Sequence, residues 1–138
     1  MSAMTNWLED NLINYVLRND PDTFATPGTS VYVGLIPYYE ADKAEAGTLT
    51  DKEISGGSYA RVQVTSWDDP SGGGATANTG DITFPTATGD WGNVSGVMIL
   101  NASTAGNIML HGSLTTPRDV KNGDVFKFNA GDLDITFA

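Results

Sequence analysis

The sequence contains no cysteine and a single histidine, His111. The first absence removes disulfides, thiolate metal sites and thiol nucleophiles, and it fits assembly in a reducing cytoplasm. The second leaves any serine triad with only His111 to recruit. No Gly-x-Ser-x-Gly elbow, Walker-type glycine loop or His-Glu-x-x-His helix supplies the rest of a catalytic apparatus. Positive charge is scarce as well: 7 Lys and Arg stand against 17 Asp and Glu, a net charge of −10. A surface this acidic repels phosphate backbones, so nucleic acid and anionic membrane are excluded as expected partners. Long apolar runs are missing too. The longest, residues 97–100, falls far short of the roughly 20 residues of a spanning helix, and no stretch reads as a signal peptide. Heptads, internal repeats and triple β-helix patterns are absent, which argues against a fibre shaft.

What the chain does have is turn chemistry. Glycine fills 16 of 138 positions, and Thr, Ser, Asn and Asp are abundant, the composition of many short strands joined by tight turns. The length suits one domain, residues 1–138, able to bury roughly 68–70% of its unfolded surface without staples. Residues 1–20 differ from all that follows. Asn6 can cap a helix, with Glu9 at the third helical position to return the hydrogen bond. Leu8, Leu12, Tyr15 and Val16 recur at helical spacing, Ile13 and Leu17 widen the apolar face, and the helix stops before Pro21. Helices this short are marginal alone, so it must cover an opening of the β-structure or dock on a neighbouring subunit.

Residues 21–29 read as a turn-rich connection, and residues 30–138 as strands. The first runs over 30–37. Residues 38–55 form a long acidic excursion, a solvated loop or a contact arm. Residues 59–65 alternate cleanly, with Ala60, Val62 and Val64 on one face. Residues 71–80 form a loop with no apolar anchor, and 81–85 a short strand ended by Pro85. Residues 94–101 and 107–114 are strands around a small-residue turn. Asn122-Gly123 suits a two-residue type I′ hairpin. Phe126 and Phe128, then Leu133, Ile135 and Phe137, continue at every second position within their runs, and the final strand is expected in the body of a sheet. The expected fold is therefore mainly β: an antiparallel β-sandwich or barrel of seven to eight short strands with one N-terminal α-helix.

The remaining candidate chemistry is sparse. His111 lies mid-strand between Leu110 and Gly112 and reads as structural. Asp68-Asp69 precede Pro70 in a turn, and Asp132 with Asp134 alternate along the last strand; neither pair has calcium-loop spacing. Trp7, Trp67 and Trp91 are scattered, as packing residues are, and do not line a sugar cleft. We expect no enzyme, no catalytic, cofactor-binding or metal-binding residue, and no cofactor.

Several motifs in order carry a resemblance. They are Gly56-Gly57-Ser58-Tyr59-Ala60-Arg61, then Phe84-Pro85-Thr86-Ala87-Thr88-Gly89-Asp90-Trp91-Gly92, then Leu110-His111-Gly112-Ser113-Leu114-Thr115-Thr116-Pro117. Asn122-Gly123-Asp124, Ala130-Gly131-Asp132-Leu133-Asp134-Ile135 and the Asn-rich helix of residues 6–17 complete the series. In these the chain resembles small virion structural proteins of tailed bacteriophages, described as head decoration or cement proteins or as tail-fibre proteins. The resemblance implies a structural role and brings no catalytic residues. A globular acidic module without repeats suits a capsid decoration or cement protein, a homotrimer on the head lattice binding the major capsid protein or other virion proteins. The alternative is a tail, baseplate or tail-fibre-associated module, in its sharper form a receptor or glycan binder. The expected location is the virion, after assembly in the host cytoplasm, with the head surface favoured over the tail. Contacts are expected on the helix and the acidic excursion, through Trp7, Leu8, Leu12, Tyr15, Tyr38, Tyr39 and Leu49, because aromatic and large apolar residues concentrate binding energy.

Overall fold

The continuous apolar run at residues 97–100 becomes intelligible once its surroundings are known. In the computed structural model, which describes residues 3–20, 31–49, 52–70 and 72–137, this run lies in a strand covered on both faces. The elements in chain order are β1 (Ala3–Met4), α1 (Asn6–Leu17), β2 (Tyr32–Ile36), α2 (Ala41–Glu45), β3 (Val62–Gln63), β4 (Ala75–Ala77), β5 (Ile82–Thr83), β6 (Gly92–Leu100), β7 (Ile108–Val120), β8 (Lys127–Phe128) and β9 (Asp134–Thr136). The expected start of the first strand at Ser30 and the connection at 21–29 lie outside the described residues.

The main sheet has the order β1-β7-β6-β2-β3, with antiparallel neighbours throughout. Two antiparallel ribbons, β4-β9 and β5-β8, accompany it. The fold is mainly β and sandwich-like, and the barrel alternative is not realised. On one face of the main sheet, Val33, Leu35, Val97, Ile99 and Leu110 join Phe84, Phe126, Phe128, Leu133 and Ile135 in the principal core. On the other, Ile36, Met98, Leu100 and Ile108 pack with Ala44 and Leu49 in a second core. Strands buried on both sides lose the apolar–polar alternation of a half-solvated sheet, which explains the unbroken run in β6.

Several expectations shift on contact with the structure. The helix cap is Thr5, not Asn6: its Oγ1 accepts from Leu8 N–H at 3.3 Å and donates to Ile108 O at 2.5 Å. A buried threonine tied to β7 thus fixes both the start of α1 and its position on the sheet. The helix ends at Leu17, ahead of Pro21, because Asn19 turns left-handed with φ 52°. The excursion at 38–55 is neither wholly solvated nor a free arm. It folds into α2 and inserts Ala44, Leu49 and Ile54 into the two cores.

Strand pairing differs as well. The Asn122-Gly123 turn bonds Asp124 N–H to Lys121 O at 3.0 Å, and only Gly123 has positive φ (92°), the pattern of type II. It joins two sheets instead of closing a hairpin, since β7 pairs with β6 while β8 pairs with β5. The last strand lies in a two-stranded ribbon, outside the main sheet, and its partner is β4, inside the stretch expected as loop. The anchor of that stretch is polar. Buried Asn78 donates to Gly80 O (2.7 Å) and Asn129 O (3.0 Å) and accepts from Leu133 N–H (2.9 Å).

Candidate attachment surface

Two of the motifs, residues 56–61 and 84–92, meet in space. Gly56, Gly57 and Ser58 all have positive φ (76°, 55° and 64°), a tight turn that sets Tyr59 inward. Trp91 Nε1 donates to Gly57 O at 2.9 Å, Thr88 N–H donates to the same oxygen at 3.0 Å, and Ser58 Oγ meets Thr88 Oγ1 at 2.7 Å. The close approach requires glycine at 57, where a Cβ would stand 2.9 Å from the Trp91 ring. Tyr59, expected on the outer face of its strand, stacks on Phe84 and meets Trp91 edge-on.

Beyond Tyr59, Arg61 makes a fork to Glu53: Nε to Oε1 at 2.9 Å and Nη2 to Oε2 at 2.7 Å. Its Nη1 donates to Ala102 O and Ala105 O, both at 2.8 Å, so one buried guanidinium holds the β6–β7 turn. Tyr59 OH donates to Glu53 Oε1 at 2.6 Å and accepts from Leu35 N–H at 2.8 Å. Burial, reinforced by the Glu53 carboxylate, pushes the Tyr59 phenol far above its ordinary range. The groups that look most like chemistry are thus spent on internal bonding.

His111 follows the same rule. It is buried under Tyr39, whose hydroxyl meets Nδ1 at 2.8 Å, and Nε2 finds no partner among the described residues. Desolvation lowers its pKa, with Glu45 pulling the other way. Asp81, Asp90, Asp124 and Asp132 accept backbone N–H bonds at turns, and no group of three His, Asp or Glu among the described residues could hold a metal ion. Asp68 and Asp69 are exposed; Asp134 is exposed on β9. Trp91 is core, and Trp7 and Trp67 are half-buried against it.

The expected contact residues separate into two groups. Leu8 and Leu49 belong to the subunit's own cores, and Trp7, Leu12 and Tyr39 pack against those cores. Their burial leaves Tyr15 and Tyr38 (71% exposed) as the exposed members of the set. Sequence reasoning put Ile13, Val16 and Leu17 on the same face as Leu8, yet all three are exposed, Leu17 to 77%. A helical wheel carries the missed signal. At 100° per residue, the Leu8–Leu12 and Ile13–Leu17 pairs point about 140° apart and cannot share a face. Among the described residues, Val125 and Phe137 are the other large exposed apolar residues, Val125 before β8 and Phe137 just after β9.

The sequence model of a family described as podophage GP4 fiber I protein gp80 matches residues 3–136. The chain belongs to this family. It is accordingly a virion structural protein of tailed phages, as the motif resemblance implied. The family description names a fibre, so the preference for a head decoration protein reverses, and the tail-fibre alternative is the better supported. No curated protein matches the chain. Among the described residues no helix is long and apolar enough to cross a membrane.

Proposed function

We propose that the chain is a structural module of the tail-fibre apparatus, which works by holding its place on the particle and not by catalysis. The observation that carries this reading is the fibre-family match over residues 3–136. The geometry agrees with it. The buried polar groups at Glu53, Tyr59, Arg61 and Asn78 are engaged with one another or with backbone, the condition of a rigid scaffold. Its partners are then other virion proteins, met through the surface.

Nanogold labelling of an affinity-tagged copy on intact particles tests the location. Label at the tail supports the reading, and label spread over the head lattice overturns it in favour of decoration. Oligomerisation has its own measurement: light scattering of the purified chain, where a threefold mass supports the homotrimer expected from the sequence.

A further inference from the structure

We infer that the outer face of α1 is the attachment surface, laid into an apolar groove with a Lys/Arg-rich rim on a different virion protein. The inference rests on the structural role proposed above but not on whether that role is at tail or head. Three observations carry it. First, the apolar arc of α1 is wider than the part it buries. Leu8 is buried and Leu12 packs on the principal core, while Val16, Ile13 and Leu17 extend the apolar arc round the helix from Leu12 and stand 67%, 52% and 77% exposed. Their i, i+3, i+4 spacing is that of a helix seated in a groove. An apolar arc wider than the sheet covers implies a second covering surface.

Second, the N-terminal end of this stripe is acidic. Glu9 and Asp10 are exposed one turn before Ile13. The basic residue of the helix end, Arg18, lies two turns away and bonds the Asn14 side chain at 3.1 Å, so it leaves the Glu9–Asp10 charge uncompensated. A groove with a basic rim complements that arrangement, whereas a second copy of a chain with net charge −10 opposes it. Third, the helix is held for presentation. The Thr5 hydroxyl ties its start to β7, Met109 O accepts from Thr5 N–H at 3.0 Å, and β1 pairs with β7 just before it. An exposed stripe on a helix so anchored is preorganised for docking, which lowers the ordering cost of binding.

The test uses full-length protein and particles assembled from a genome deleted for this chain. Wild type, Leu17→Glu with Val16→Ser, and Glu9→Lys with Asp10→Lys are each added, and bound protein is read after sedimentation at several salt concentrations. The apolar double variant should lose at least about tenfold in apparent affinity with its melting temperature unchanged. The charge-reversal pair should bind more weakly at low salt and lose the salt dependence of wild type. Undiminished binding by the apolar variant overturns the inference. A marked fall in its melting temperature also overturns it, since the stripe would then be covered by the chain itself. So does wild type that self-associates while the variant is monomeric, which makes a second copy the occupant. Head-located label with lost binding would instead sink the tail assignment and leave the docking face standing.

Discussion

Replacing Arg61 by methionine is the sharpest probe of what holds the scaffold. The guanidinium and the Glu53 carboxylate are 5% and 12% exposed, so this is a buried pair, unlike surface pairs worth at most about 1 kcal/mol. Methionine keeps much of the stem but strands a carboxylate whose remaining side-chain donor is Tyr59 OH, and it frees the Ala102 and Ala105 carbonyls. Removing one member of a buried ion pair costs about 3–5 kcal/mol. For a chain this long, each kcal/mol moves the melting temperature by about 3.5 °C, which gives a fall of roughly 10–17 °C. Adding Glu53→Leu removes the stranded charge, and the double variant should recover at least about half of that loss. The recovery distinguishes an uncompensated charge from simple loss of packing. Thermal and urea melts of wild type, both single variants and the double close the cycle. If Arg61→Met melts within about 3 °C of wild type, or the double is no better than the sum of the singles, the pair is not what pins the β6–β7 turn.

Gly57→Ala combines left-handed backbone with a Cβ 2.9 Å from the Trp91 ring, and should cost about 2–4 kcal/mol by urea melt. Gly56→Ala, with similar φ but open space, should cost about half as much. Tyr39→Phe removes the hydroxyl facing His111 Nδ1 and leaves that nitrogen buried without a partner, for a loss of about 1–3 kcal/mol. Because burial lowers the folded pKa of His111, the unfolded chain takes up the proton first as pH falls. The stability of the neutral imidazole is therefore complete above about pH 6.5 and drains below it. The gap in melting temperature between wild type and His111→Gln should narrow as pH falls through that range, and parallel curves refute the assignment.

What was legible in the residues follows the range of the interaction that fixes each element. The helix was legible to within a residue or so, because caps and spacing act over four positions, and β2, β5 and β6 showed through their apolar residues. Pairing was not. β4 is Ala75-Thr76-Ala77, with no large apolar residue to announce it; its partner is the β9 backbone, and Asn78 just beyond it fixes the approach by bonding Leu133 N–H, 55 positions away. The excursion at 38–55 looked solvated because acidic residues outnumber its anchors. One of those acids, Glu53, is buried only because Arg61 waits for it. The sidedness of α1 was present in the wheel angles. Which side faces the sheet was decided by Thr5 bonding Ile108 O, a contact between residues 103 positions apart.

Stability and attachment consequently occupy different parts of the molecule. The conspicuous motifs, from Gly56 to Trp91, are consumed in locking Tyr59, Glu53 and Arg61, and their loss should act through melting temperature. The stripe on α1 contributes little to the fold, since Ile13, Val16 and Leu17 stay largely in water. Exposed apolar residues on an otherwise acidic chain cost solubility, and a subunit that carries them gains only when another surface covers them. The separation has a consequence for variation. Substitutions at the stripe should change which particle surface accepts the chain while leaving its fold intact. Substitutions in the motif turn should destabilise the chain and reduce incorporation only as far as they unfold it. Incorporation plotted against melting temperature would thus place motif variants on one falling curve and stripe variants below it at unchanged stability. If both classes fell on a single curve, the outer face of α1 would be one more part of the scaffold.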